Sequence, residues 1–212
     1  FGGGLTLADG YVDNCLIVSN TASFGGGVYM SGSSHAELRN CTVVDNFTSD
    51  TGTSSIYPGG LYMPGVGSDV KVVNCIFFRN QPGAYATKSN CTGYPEFHAN
   101  YNNANQALDS DYVRARLLNC LMDVDLGELG ATSVGKDGIA GDPLFVDAAA
   151  WDFRLDRASP CVNAGDNRDY TAASLDLYGI PRVFNFGKRS GIVDIGCSES
   201  PWGTRGFLLM VR

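Results

Sequence analysis

Two tyrosines occupy the same place in a repeated pattern and have the chemistry to contact a ligand. Tyr29 follows the glycines at 25–27, and Tyr62 follows those at 59–60. Successive side chains of a strand point to opposite faces, so both tyrosines, with Thr6 of an earlier copy, are expected on an outer face. Aromatic rings in a row suit stacking against glycans or contact with a protein. The other interpretation is that the tyrosines pack on each other and stabilise the sheet.

Cysteine and histidine offer a second kind of chemistry, metal binding. The chain has seven cysteines and two histidines, but it contains no Cys-x-x-Cys pair, and His35 and His98 are isolated from each other. Zinc sites need such ligands at close spacing, so a zinc site is not expected.

The elements that position these residues come from a repeat. The pattern apolar-any-Asn-Cys-any-apolar-any-any-Asn lies within residues 10–20, 36–46, 70–80 and 115–125, with Asp in place of the last Asn in the final copy. The copies follow each other at intervals of 26, 34 and 45 residues. Self-similarity of this kind predicts a repeat protein in which each copy adds one structural unit.

The asparagine before each cysteine is expected to turn the chain. Leu38 lies two residues before Asn40, whereas Cys41 and Val43 lie one and three residues after it. A straight strand cannot bury both sets, and Asn tolerates the left-handed backbone conformation that a corner needs. Each repeat then supplies three short strands: one after the glycines, one before the Asn and one after it.

Stacking these units about 4.8 Å apart gives a parallel β-solenoid. The corner asparagines form a ladder: Asn14, Asn40, Asn74 and Asn119. The cysteines that follow them, Cys15, Cys41, Cys75 and Cys120, form an inward column. Parallel inward side chains are poorly aimed for disulfides, so buried thiols are predicted there.

On these residues the chain resembles right-handed parallel β-helix proteins of the pectate-lyase-like class. Gly-Gly-apolar followed by apolar-x-x-Asn is similar to the repeats of chlamydial-type polymorphic outer-membrane proteins. The resemblance implies an all-β, single-stranded right-handed parallel β-helix with three strands per rung, and the right-handed crossover rule agrees. Residues 1–140 are assigned to rungs with insertions at 47–58 and 81–116, and residues 141–212 to carboxy-terminal rungs and a cap of the same domain.

The region after residue 141 carries four motifs in series. They are Asp-Pro-Leu-Phe at 142–145, Ser-Pro-x-x-x-Ala-Gly at 159–165, Asp-x-x-Gly-x-Pro-Arg at 176–182 and Asp-Ile-Gly-x-x-Glu at 194–199. This order is similar to the carboxy-terminal segment of many bacterial extracellular β-helix proteins. We expect it to cap the open end of the solenoid. Two of its motifs close on each other in that fold, which makes Cys161 and Cys197 the disulfide candidates.

The resemblance also implies an enzyme as an alternative, because β-helix proteins include polysaccharide lyases and hydrolases. Such a lyase needs carboxylates that hold Ca²⁺ and an Arg or Lys base. The acidic and basic residues of the 81–116 insertion are weak candidates for these roles: Asp109, Asp111, Arg114 and Arg116. A solvated surface is the other interpretation of this group. Ca²⁺ is therefore a possible ligand, no other cofactor is expected, and the identity of any metal site is left open.

Composition limits the partners. The net charge of −7 and the pI near 4.7 leave no basic surface for a nucleic-acid backbone. No apolar run reaches the roughly 20 residues that span a bilayer. The chain starts inside a repeat, at Phe1, without a signal peptide, so we expect a piece of a longer exported protein.

These observations predict an extracellular or bacterial cell-surface module for adhesion or glycan contact, non-catalytic in this fragment, with a polysaccharide or a cell-surface glycan as partner. Two alternatives stay open. One is a polysaccharide lyase or glycoside hydrolase that uses the 81–116 insertion. The other is a self-assembling fibre or surface subunit that associates through its exposed first rung.

Overall fold

The chain coils into a stack of short parallel strands. A computed structural model describes residues 1–30, 35–49, 57–64, 70–81, 97–100, 117–122, 137–171, 173–183, 185–186 and 189–200. In this part of the chain the elements are strands and one short 3₁₀ turn.

Each turn of the coil, here called a rung, gives one strand to each of three sheets, A, B and C. Rung 1 contains β1 (Leu5–Leu7), β2 (Gly10–Asp13), β3 (Leu16–Val18) and the short β4 (Thr21–Ala22). Rung 2 contains β5 (Val28–Met30), β6 (Ala36–Arg39), β7 (Thr42–Val44) and β8 (Phe47–Thr48). Rung 3 contains β9 (Leu61–Pro64), β10 (Lys71–Val73) and β11 (Ile76–Phe78). Rung 4 contains β12 (Phe97–Asn100), β13 (Leu117–Leu118) and β14 (Leu121–Met122), and β15 (Ile139–Ala140) follows.

Sheet A has the order β1-β5-β9-β12, sheet B β13-β10-β6-β2 and sheet C β15-β14-β11-β7-β3. All pairs in these sheets are parallel, and equivalent repeat positions align, as in Val12 with Leu38 and Leu38 with Val72. The predicted all-β parallel coil with three strands per rung is confirmed. Two details differ from the prediction. Strand β8, inside the predicted 47–58 insertion, pairs with β4, and the predicted 81–116 excursion contains β12, the fourth strand of sheet A.

The core lies inside the coil. Alternate strand residues point inward and are fully buried, among them Val28, Leu38, Val43 and Phe77. The cysteine column packs in the same core, as predicted. Burying each such apolar side chain contributes about 1.5–3 kcal/mol, so the repeated apolar positions supply most of the drive for coiling.

The first row of asparagines makes the corner between sheets B and C. This corner row consists of Asn14, Asn40, Asn74 and Asn119, with φ values of 54°, 43°, 53° and 50°. Left-handed backbone of this kind is strained for most L-residues but tolerated by Asn. Within the row, the Nδ2 of Asn74 donates to the Oδ1 of Asn40 at 3.0 Å.

The second row of asparagines, Asn20, Asn46 and Asn80, lies one corner further along the rung. Here the residue before each Asn has the positive φ, at Ser19, Asp45 and Arg79. The amides of this inner row point into the coil and bond to each other: Asn46 Nδ2 donates to Asn80 Oδ1 at 2.8 Å, and Asn20 Nδ2 donates to Asn46 Oδ1 at 3.0 Å. The inner row therefore satisfies the buried polar groups of the corner within the coil itself.

The segment after β15 lies against the side of the coil. It begins with an antiparallel hairpin, β16 (Phe145–Asp147) and β17 (Asp152–Leu155), joined by a 3₁₀ turn at Ala148–Ala150. A second short antiparallel pair is β18 (Asn185–Phe186) with β19 (Arg189–Ser190). A second apolar core joins this segment to the outer face of sheet C, with members Ile76, Leu121, Leu155, Cys161, Val162 and Ile195.

Hydrogen bonds from the corner row hold the same segment. Asn40 Nδ2 donates to the Asp194 carbonyl at 2.9 Å, Asn74 Nδ2 to that of Asp166 at 3.0 Å, and Asn119 Nδ2 to that of Ala164 at 3.2 Å. Asn14 Nδ2 donates to the Leu175 carbonyl at 3.0 Å. The segment predicted as carboxy-terminal rungs and a cap thus packs on the coil, and its described part covers the side of the rungs. It runs along the flank of four rungs, because the outer face of sheet C is apolar and needs a cover.

Candidate functional site

Aromatic side chains of three consecutive rungs cluster beside sheet A. We call this cluster the aromatic platform; it consists of Phe1, Phe24, Tyr29, Tyr57 and Tyr62. The strand register places Tyr29 beside Tyr62, and Thr6 and His98 occupy the same register position in rungs 1 and 4.

The rings of the platform contact each other in two columns. In the first, Phe1 stacks on Phe24 at 5.5 Å between centroids, and Phe24 meets Tyr57 edge-on at 4.4 Å. In the second, Tyr29 and Tyr62 are 5.6 Å apart. The columns touch where Phe1 lies 4.9 Å from Tyr29 and Tyr57 lies 5.2 Å from Tyr62. Offset and edge-on pairs like these are favourable beyond the area they bury.

The two tyrosines predicted to contact a ligand, Tyr29 and Tyr62, differ in their exposure to solvent. Tyr62 is only 6% exposed, because Phe24, Tyr29 and Tyr57 pack around it. A direct ligand contact at Tyr62 is therefore not supported, and its role is to support the other rings. Tyr29 is partly exposed, as are Phe24 and Tyr57, and Phe1 is 75% exposed.

Sequence reasoning missed three members of the platform. Phe1, Phe24 and Tyr57 lie just before the glycine turns of their repeats, Tyr57 with one Pro between. This shared repeat position was a sufficient signal, because equivalent positions of a solenoid stack on one another.

A glycine turn sets the ring positions. Gly25 has φ of 58°, and a Cβ there would lie 2.3 Å from the Val28 carbonyl oxygen and 3.1 Å from the Cβ of Tyr62. Any larger residue would displace the turn that carries Phe24. The close approach at Gly25 therefore sets how near the turn lies to Tyr62.

A buried charged cluster joins the carboxy-terminal segment to rung 1. Arg182 is fully buried; its Nη1 donates to Glu199 Oε2 at 3.2 Å, and its Nε donates to Asn14 Oδ1 at 2.9 Å. The Asp194 carboxylate accepts from the N–H groups of Asn163 and Ser200, each at 2.6 Å. Buried Asp176 accepts the Glu199 N–H at 2.7 Å.

Burial changes the protonation of this cluster. It raises the pKa of Asp194 to about 6. Burial, followed by the nearby negative charge of Asp194, raises the pKa of Glu199 to about 9. Because Arg182 and Glu199 are enclosed by protein, they have no access to a substrate. The cluster holds the segment in place.

Asp13 is a half-buried carboxylate at the end of β2. It accepts from the Tyr170 hydroxyl at 2.9 Å and from Arg39 Nη2 at 3.4 Å, and burial raises its pKa. The Arg39 guanidinium also lies 4.1 Å from the ring centroid of exposed Tyr11. Both Asp13 oxygens are occupied, so this residue ties Tyr170 to rung 1 and is not a free base.

The predicted disulfide between Cys161 and Cys197 is absent, and all six described cysteines are free thiols. Both of these cysteines are buried; the Cys197 N–H donates to Thr42 Oγ1 at 3.0 Å, and the Cys161 N–H donates to Ser159 Oγ at 3.1 Å. Burial raises the pKa of both, that of Cys197 to about 11, so the thiols are protonated at neutral pH.

The weak catalytic candidates Asp109, Asp111, Arg114 and Arg116 lie outside the described residues. Among the residues that are described, no three His, Cys, Asp or Glu side chains come together as metal ligands. The described part of the chain also contains no helix with the length and apolar character needed to cross a bilayer.

Comparison with known proteins gives one match. The profile of a family described as right handed beta helix region matches residues 2–116, more than half of the 212 residues. No curated protein and no solved structure matches significantly. The match covers the coil through rung 3 and the start of rung 4.

Proposed function

The chain belongs to the right-handed β-helix family, and from this premise we propose that it is an extracellular or cell-surface module that contacts glycans through the aromatic platform. The proposal rests on one observation, the stacked rings of rungs 1 to 3 on one side of the coil. A rigid row of aromatic surfaces fits a repeating, weakly apolar ligand such as a polysaccharide.

Three features of the platform support this use. The rings of Phe24, Tyr29 and Tyr57 are partly exposed, so each has surface left for a ligand after stacking on its neighbours. Glycine turns fix the rings, so little conformational entropy is lost on binding. The rings themselves carry no charge, which suits the C–H faces of sugars.

The module acts by binding, without turnover. Catalysis by a lyase or hydrolase and assembly into fibres are the competing functions, and both have distinct readouts in the test below.

The test is binding to a panel of neutral and acidic polysaccharides, with and without Ca²⁺, measured by affinity electrophoresis and calorimetry. Tyr29→Ala is expected to weaken binding about tenfold, the equivalent of about 1.4 kcal/mol. Tyr29→Phe is expected to retain most of the affinity, because the ring is what stacks.

Tyr11→Ala is the matched control, because Tyr11 is an exposed tyrosine on sheet B, away from the platform. It is expected to bind as the unmodified protein does. Equal affinities for Tyr29→Ala and Tyr11→Ala would contradict the platform proposal. Unsaturated product absorbance would instead establish a lyase, new reducing ends without that absorbance would establish a hydrolase, and concentration-dependent oligomers without glycan binding would establish self-assembly.

A further inference from the structure

A second candidate site lies where the coil meets the carboxy-terminal hairpin. A cleft of about 500 Å³ opens there, lined by Asp45, Asn46, Phe47, Arg79, Gln81, Ala148 and Ala149. One wall comes from rungs 2 and 3, just after sheet C. The other wall is the 3₁₀ turn between β16 and β17.

The aromatic part of the cleft is Phe47, which is 38% exposed. Its N–H donates to the Asn20 carbonyl at 2.8 Å, and β8 pairs with β4. A Cβ on Gly26 would lie only 2.3 Å from the Phe47 carbonyl oxygen. The coil therefore fixes the backbone of Phe47, a residue that lines the cleft.

The polar part is an ion pair on successive rungs. Arg79 Nη2 lies 2.5 Å from Asp45 Oδ2, and both side chains are partly exposed. Asp45 and Arg79 each have φ of 54°, in the left-handed region, and Ser19 has the same conformation in rung 1. The coil requires this backbone at all three positions, and Gly or Asn would adopt it at lower cost. The charged pair is therefore not needed to make the corner.

The hairpin wall is shaped by its own turn. Asp147 Oδ1 accepts the Ala150 N–H at 3.1 Å, and the Trp151 N–H donates to the Ala148 carbonyl at 3.2 Å. Trp151 ends the turn with φ of 64° and is 62% exposed. The small side chains of Ala148 and Ala149 keep the wall low, so the cleft stays open to a ring-sized ligand.

We propose that this cleft binds a neutral sugar ring of a glycan. Phe47 offers an apolar face to the C–H groups of the sugar, and Asp45, Arg79 and the Gln81 amide offer planar acceptors and donors for neighbouring hydroxyls. The carboxylate and the guanidinium neutralise each other, which favours a neutral sugar over a uronate. The site deepens the proposed glycan contact but uses none of the platform residues, so each can fail without the other.

The test uses the full chain and neutral oligosaccharides of glucose, galactose and mannose, with oligogalacturonate as the acidic comparator. Affinity is measured by calorimetry, and the location by shifts of the backbone amide resonances of Ala148 and Ala149. Arg79→Gln and Phe47→Ala are expected to weaken binding of the preferred neutral oligosaccharide at least tenfold and to remove the amide shifts.

Arg168→Gln is the matched control, because Arg168 is also exposed and also paired, at 2.6 Å from Asp166, but away from the cleft. This variant is expected to leave the amide shifts and the cleft affinity unchanged. Arg79→Gln should fold normally, because an exposed ion pair contributes about 0–1 kcal/mol. The proposal is overturned if no neutral oligosaccharide shifts the Ala148 and Ala149 amides, if Arg79→Gln binds like Arg168→Gln, or if oligogalacturonate binds more tightly.

Discussion

The corner row and the inner row use the same residue in the same coil for different purposes. In the corner row the asparagine itself has positive φ, and its amide reaches outward to the carboxy-terminal segment, as Asn40 does to Asp194. In the inner row the preceding residue has positive φ, and the amide turns inward, as Asn46 does to Asn80. The corner row binds the carboxy-terminal segment, and the inner row stabilises the coil.

The role of a repeated asparagine therefore depends on its position within the corner as well as on its residue type. A one-residue shift in the position of the left-handed backbone reverses the direction of the amide. Stability of the coil should therefore depend on the inner row, and attachment of the segment on the corner row.

The largest effect is expected for Asn46→Ala. Asn46 is fully buried, donates to Ile17 and Asn80, and accepts from Asn20. Alanine would leave several buried groups without partners, each costing about 1–3 kcal/mol, so the free energy of unfolding should fall by about 3–4 kcal/mol. Urea denaturation measures this loss. Asn20→Ala, at the partly exposed end of the row, is the control and should lose clearly less; equal losses would contradict the interpretation.

A smaller and more local effect is expected for Asn40→Gly. Glycine keeps the left-handed corner at φ of 43° but removes the bonds to the Asp194 and Gly196 carbonyls and the bond that Asn40 Oδ1 accepts from Asn74. We expect a loss of about 1–2 kcal/mol. Hydrogen exchange should accelerate for amides of residues 193–197 while those of sheets A and B stay protected. Equal acceleration throughout the coil would show that the two rows do not differ.

The most gradual effect is expected from pH. The folded-state pKa values of Asp194, about 6, and Glu199, about 9, lie above the usual values of free carboxyl groups. The folded state therefore retains protons that the unfolded state has lost, so stability is present at low pH and is lost as pH rises between about 4 and 9. The loss is at most about 1.4 kcal/mol per pH unit for one proton.

This loss should loosen the segment that contains Arg182 before it affects the inner row, whose amides do not titrate. Circular dichroism melts from pH 5 to 9 measure the slope, and Glu199→Gln should flatten it. An unchanged slope in Glu199→Gln would show that this cluster is not the source.

Part of the candidate site could be predicted from the repeat. The alternation of side chains along the strand after the glycines indicated that Tyr29 and Tyr62 share a face of the sheet, and the strand register places them side by side. The burial of Tyr62 was not predicted, because it depends on Phe24 and Tyr57, whose shared repeat position was missed. The cleft at Phe47 and Arg79 could not be predicted either, because its second wall, at Ala148 and Ala149, comes from residues about 70 to 100 positions further along the chain.

The sequence by itself determined the coil. Its corners at Asn-Cys, its three strands per rung and its inward apolar positions all follow from local spacing, because a stacked repeat places equal positions on top of each other. Only the tertiary structure decided where the carboxy-terminal segment lies. The exposed apolar row of sheet C, with Ile76 and Leu121, and the outward amides of the corner row hold it along the flank. Contacts between residues so far apart in the chain do not follow the repeat, so the repeat pattern could not predict them.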